Sequence, residues 1–290
     1  MQTVSFYLLP IKSYRDLRSQ NICDLVAVIE RIKSYSDKLI MPETFFGNDS
    51  DGNAYYSVGN SNMQLLTYLI GKFPTENYIK NLDGITTEDY HHRFISANDA
   101  AAEDEKSIIH NKQELLQNYQ ESAYCLPDFP ELFEWKARCF PAVLFTEDSF
   151  GQNRNIFHRE TKEIYRRLLK QTIQCLTELN NQTEALHKTT VAEGIARLQA
   201  SLTGISCSGK GSDEATYFNK NVSVNDAHYT IACAPHFKLI RGDSDYRIYF
   251  SWGKDEIRSN SFIVVKIGSH WNDSADSQLA RILLHNVEPS

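Results

Sequence analysis

The sequence predicts an α+β protein: a largely helical N-terminal region over residues 1–150, then, over 151–290, a helical hairpin packed on a small antiparallel β-sheet. Three observations lead there. Apolar residues recur at helical spacing through 13–40, 160–180 and 191–202. Two polar turns divide 228–271 into three β-rich runs. Within those runs apolar and polar residues alternate with the period of two that marks a strand.

Length and composition narrow the function. A chain of 290 residues makes one large or two ordinary domains with a real core. Hydrophobic content of 41% and charged content of 23% are globular values, and fifteen Tyr and fifteen Phe suit a packed core or a contact surface. A net charge of −7 excludes a protein that coats nucleic acid through bulk charge, but leaves room for a local basic patch. The six cysteines are scattered with no CxxC pair, as expected of reduced thiols in a cytoplasmic protein. The apolar run 4–9 has no basic segment before it and is followed by Pro10 and charged residues, so it does not read as a signal peptide. No apolar stretch approaches the roughly 20 residues that span a bilayer, so no membrane partner is expected.

Along the N-terminal region, Val4–Leu9 reads as a strand or a helix lead-in. Residues 13–40 read as a helix through Leu17, Leu25, Val28, Ile29 and Ile32, closed by Pro42. Residues 47–53 form a polar turn. Its Asp-Xaa-Asp-Gly core lacks the remaining ligands of a calcium loop, so no metal is expected there. A helix is predicted over 62–73 from Met63, Leu66, Leu69 and Ile70. His91 and His92 are adjacent and point apart, a poor chelate. Asn98 reads as the N-cap of a helix continuing to about residue 120, with Ile108, Ile109, Leu115, Leu116 and Tyr119 as its stripe. The Pro- and aromatic-rich run 126–150 reads as a connector packed on the core, or alternatively as an exposed surface for a protein partner.

Two motifs fall short of their chemistry. Arg154 and His158 superficially resemble the Arg…His pair of HEPN ribonucleases, but only three residues separate them and they precede a helix. Gly204–Gly211 approaches a phosphate-binding loop, yet it follows an amphipathic helix instead of a strand and has Gly211 where a magnesium-binding hydroxyl belongs. It reads as a helix C-cap and a flexible loop, and no cofactor is expected.

The C-terminal runs carry the candidate site. His236 and Lys238 alternate with Phe237 and Leu239, and Arg247, Tyr249 and Ser251 alternate with Ile248, Phe250 and Trp252. The hairpin therefore has one apolar face and one polar face bearing His236, Lys238, Arg247 and Tyr249. Ile263, Val265 and Ile267 can join the apolar face, and His270 stands at the end of that strand. Residues 278–284 read as a short helix.

Two helices followed by an antiparallel meander, with Tyr246-Arg247-Ile248-Tyr249-Phe250 and Ile267-Gly268-Ser269-His270, resemble the RelE/ParE superfamily of small bacterial toxins over about residues 157–290. The resemblance implies a metal-independent endoribonuclease acting on RNA at the ribosome. Arg247 and Lys238 would stabilise the developing phosphate charge, His270 or His236 would exchange protons, and Tyr249 would stack on a base or orient a phosphate. The chain departs from the family in being long and acidic, with a longer loop over 204–225. The expectation is a RelE-like RNA-binding or RNA-cleaving domain with its regulatory region in cis, as in a regulated toxin or phage-defence effector. The alternative is a non-catalytic interaction subunit of a defence or toxin–antitoxin complex, docking through its sheet and the run 126–150. A DNA-binding regulator is disfavoured by the acidic balance and the lack of a helix-turn-helix pattern.

Overall fold

A computed structural model describes residues 3–14, 16–48, 52, 64, 67–68, 71, 77–86, 90–99, 108–151, 156–209, 218–240, 246–269 and 280–283. The chain forms two compact units, Met1–Ser122 and Ala123–Ser290. Residues 123–150 therefore belong with the C-terminal unit.

Among its described residues, the first unit holds a sheet that the helical expectation did not include. Strands β1 (Ser5–Leu8), β2 (Lys38–Pro42), β3 (Tyr78–Ile79), β4 (His92–Ile95) and β5 (Ile108–Ile109) form a sheet in the order β3-β2-β1-β4-β5. Every pairing in it is parallel. Helices α1 (Ser19–Ser34) and α2 (Lys112–Ala123) and a short 3-10 turn at Glu43–Phe46 complete the described elements. The predicted helix 13–40 thus holds both α1 and β2. Ser36, at φ 58°, breaks the helical path between them. Ile22, Leu25, Val28, Ile29 and Ile32 do form the buried stripe of α1. The helix expected after Asn98 begins only at Lys112, because Ile108 and Ile109 pair with β4. The helix predicted over 62–73 lies largely outside the described residues, as does most of the turn 47–53.

A buried carboxylate ties this unit together. Asp37 accepts the Val4 N–H at 3.1 Å and the Tyr119 hydroxyl at 2.7 Å, linking β1 to α2. Where strand order reverses, between β1 and β4, Asn98 accepts the Lys12 N–H at 2.9 Å and donates to the Pro10 carbonyl at 3.0 Å. Asn21 of α1 donates to the Ala97 carbonyl at 3.1 Å. These bonds pair polar groups that would otherwise be buried unsatisfied.

The second unit contains α3 (Phe129–Cys139), β6 (Val143–Thr146), α4 (Lys162–His187), α5 (Val191–Ser201), β7 (Ser206–Ser208), β8 (Asn219–Val224), β9 (Ala227–Ala232), β10 (His236–Lys238), β11 (Tyr246–Ser251), β12 (Phe262–Ser269) and β13 (Ala280–Leu283). The expected helical hairpin is present as α4 and α5. Thr161 caps α4, and Thr190 with Glu193 closes a capping box on α5. The small antiparallel sheet of the RelE-like expectation is overturned. The strands form one eight-stranded mixed sheet, β7-β10-β11-β12-β6-β13-β8-β9. β12 pairs with β11 antiparallel but with β6 parallel, and β13 joins β6 to β8. Residues expected as a C-terminal helix include β13, and the expected connector 126–150 supplies α3 and the strand β6.

The sheet curls into a half-barrel. Tyr249 of β11 sits in one apolar cluster with Leu144, Val222, Ile231, Ile263 and Ile282, contributed by β6, β8, β9, β12 and β13. The aromatic run is interior: Phe129, Phe133, Trp135, Phe140, Phe145 and Phe150 are all buried. Phe133 and Phe145 both pack on Phe150, at 5.3 and 5.8 Å between centroids.

Candidate functional site

The candidate residues stand on the outer strands β7, β10 and β11. Period two and the register arrange them in rows. Ser206, Lys238, Arg247 and Gly268 form one row, and Ser208, His236 and Tyr249 another. Between them Cys207, Phe237, Ile248 and Ile267 point to the opposite face and are buried. The alternation read from the sequence is therefore present, but the face it defines is only partly polar surface. Lys238 is exposed and Arg247 half-buried, its Nη1 donating to the Tyr246 carbonyl at 3.0 Å.

Tyr249 is overturned as a surface residue. Its ring is 1% exposed and lies parallel to Phe218 at 5.9 Å, inside the curl of the sheet, where no base can stack on it. His236 is buried too, tilted against Tyr249 at 5.2 Å. The cause is the curl: β8 and Phe218 close over a face that an isolated hairpin would leave wet. His270 lies outside the described residues.

His236 has a defined hydrogen-bonding arrangement. Its Nδ1 lies 3.0 Å from the Ala234 carbonyl, which can only accept, so Nδ1 carries the proton. In the neutral ring Nε2 is then the bare nitrogen, and it lies 3.1 Å from Ser208 Oγ, whose hydroxyl can donate to it. Ser208 is half-buried, and it ends the edge strand β7. Gln199 of α5 holds β7 in place by accepting the Cys207 N–H at 2.7 Å. Gly209 follows where α5 leaves no room: a Cβ there would lie 2.8 Å from Ile195 Cδ1. Sequence reasoning missed Ser206 and Ser208 because Gly204 and Gly209 made this segment read as loop. The available signal was the short alternation of Ile205 and Cys207 with the two serines.

Electrostatics separate the hydroxyls from the thiols nearby. Burial pushes the Cys207 thiol up to about 12, and Cys233 likewise to about 12. Burial, with Cys207 beside it, pushes the Cys175 thiol of α4 well up. These cysteines stay protonated at neutral pH and are inert. Tyr246 points away from the row, bonded through its hydroxyl to Glu160, and that bond with burial pushes it up to about 12.

Comparison with family models, with curated proteins and with solved structures finds no match. Among the described residues, no group of three or more His, Cys, Asp or Glu is placed to hold a metal ion. No helix among them is long and apolar enough to cross a membrane.

Proposed function

We propose that the row Ser206–Lys238–Arg247–Gly268 binds phosphates of single-stranded RNA. The observation that carries this reading is the register, which sets Lys238 directly opposite Arg247. Directly opposite each other, the two side chains can present two cations to one anion. The row ends at Gly268, where an added Cβ would meet no described atom within 4 Å. Phosphate oxygens can approach bare backbone at such a position. Arg supplies planar bidentate donors and Lys a mobile point charge, a combination suited to a phosphodiester. Two contacts of this kind predict a shallow salt dependence, on the order of −0.7 in log K per log salt for each phosphate neutralised.

The test is fluorescence anisotropy with a labelled single-stranded RNA at several salt concentrations. Lys238→Ala with Arg247→Ala should weaken binding at least tenfold and flatten the salt slope. Equal binding by the wild type and the double variant overturns the reading.

A further inference from the structure

We propose that Ser208 is a nucleophile activated by His236, and that the same site performs acyl transfer on esters of anionic substrates. The anionic part of this substrate class rests on the phosphate-binding reading above; the nucleophile does not. A serine becomes reactive when a base within hydrogen-bond reach takes its proton and a third group orients that base. All three parts are here. Ser208 Oγ is 3.1 Å from His236 Nε2, inside the reach required of a general base. The Ala234 carbonyl holds Nδ1 at 3.0 Å, fixing the tautomer that leaves Nε2 bare.

Surroundings favour the assignment. Tyr249 and the interior of the sheet close off one side of the ring, while Ser208 is only half-buried, on the edge strand β7. Cys207, next in sequence, is excluded as the nucleophile because it faces the opposite side and burial keeps its thiol protonated. Lys238 stands one row away on the same face as His236, placed to hold a negative group of the substrate.

In the first step Oγ bonds to the acyl carbon while its proton passes to Nε2. The tetrahedral adduct then collapses, the ester C–O bond breaks, and the leaving alkoxide takes the proton from Nε2. Water attacks the acyl-serine next, giving its proton to Nε2, which returns one to Ser208 as the carboxylic acid departs. A backbone carbonyl supports the imidazolium less than a carboxylate would, so turnover should be slower than in a full Ser-His-Asp triad. The acyl-enzyme should therefore be easier to trap than turnover is to measure.

The experiment is labelling of the full-length protein with a fluorophosphonate probe, followed by peptide mass spectrometry. One adduct is expected, on Ser208. Ser208→Ala should abolish it, and His236→Asn should slow it at least a hundredfold while thermal melting verifies that the variant is folded. No adduct on wild-type protein, or labelling that persists in Ser208→Ala, overturns the proposal. RNA anisotropy on the same wild-type sample separates the two readings: labelling without RNA binding removes only the phosphate reading, and binding without labelling removes only the nucleophile.

Discussion

Lys220 of β8 places its ammonium 2.6 Å from the Asp148 carboxylate just after β6, with 3% of the lysine side chain exposed against 39% of the aspartate. The pair is lopsided, a buried cation answered by a carboxylate that water partly reaches. Removing the acid takes its carboxylate away from a buried ammonium, whereas removing the cation leaves a carboxylate that water reaches in part. Asp148→Ala should therefore cost about 1–3 kcal/mol, below the full value for a sealed pair because of that exposure. Lys220→Met should be close to neutral. Urea midpoints of both variants check the order, and equal losses would count against it.

Gly194, inside α5, lies against the indole of Trp252. A Cβ there would come within 2.4 Å of the ring, and the ring is itself wedged edge-on against Phe262 at 5.0 Å. Gly194→Ala gains about 1 kcal/mol of helix propensity. Overpacking costs about 1–3 kcal/mol and wins where a ring cannot retreat. The expected outcome is a lower melting temperature, recovered when Trp252→Leu is added. A more stable single variant would contradict this packing.

Alkaline pH should weaken the C-terminal unit. Cys207 and Cys233 titrate in the folded state near 12 against an ordinary 9, and Tyr246 near 12 against an ordinary 10. Each folded pKa is raised, so the native state holds its protons more tightly. That stability is fully present below about pH 9 and disappears as pH rises through 12. Urea midpoints should be flat up to about pH 9 and fall above it, and Tyr246→Phe should blunt the part of the fall above about pH 10.

The thiols should divide by burial. Cys23 and Cys125 are exposed, while Cys139, Cys175, Cys207 and Cys233 are buried. A colourimetric thiol reagent should titrate the first two quickly and the remaining four only in denaturant. Fast reaction of Cys207 would mean that β7 opens readily, which the Gln199 clamp argues against.

Thr190 and Glu193 satisfy each other's backbone N–H groups at the start of α5. Thr190→Ala should cost about 1 kcal/mol, read from the denaturation midpoint.

The parts of this fold legible in the sequence are those set by local period. Helices α4 and α5, the stripe of α1, and the β10–β11 hairpin with Lys238 and Arg247 on one face all follow from spacing alone. The parallel sheet does not. Its strands are short and covered on both faces, so Phe6 to Leu8 or Ile108 and Ile109 read as apolar runs that fit a helix equally well. In the C-terminal unit, Val143–Thr146 is buried at every position and gives no alternation. Tyr249 looked solvent-facing because its own strand alternates. It is buried by Phe218, a residue far away in sequence. Ser208 escaped notice for another reason: its strand is three residues long and lies between Gly204 and Gly209, so its short alternation reads as loop.

The place of β6 in its sheet has a consequence for how the chain is made. A ribosome releases Val143–Thr146 well before it has built β12 and β13, the two strands that flank β6. Until those emerge, the nascent chain carries an apolar strand with both edges open, a template for mispairing that chaperones exist to shield. Local helices such as α4 can form early, but sheet closure waits for distant partners, which makes it the slow step. A nascent chain halted before β13 would leave both β6 and β8 missing a neighbour.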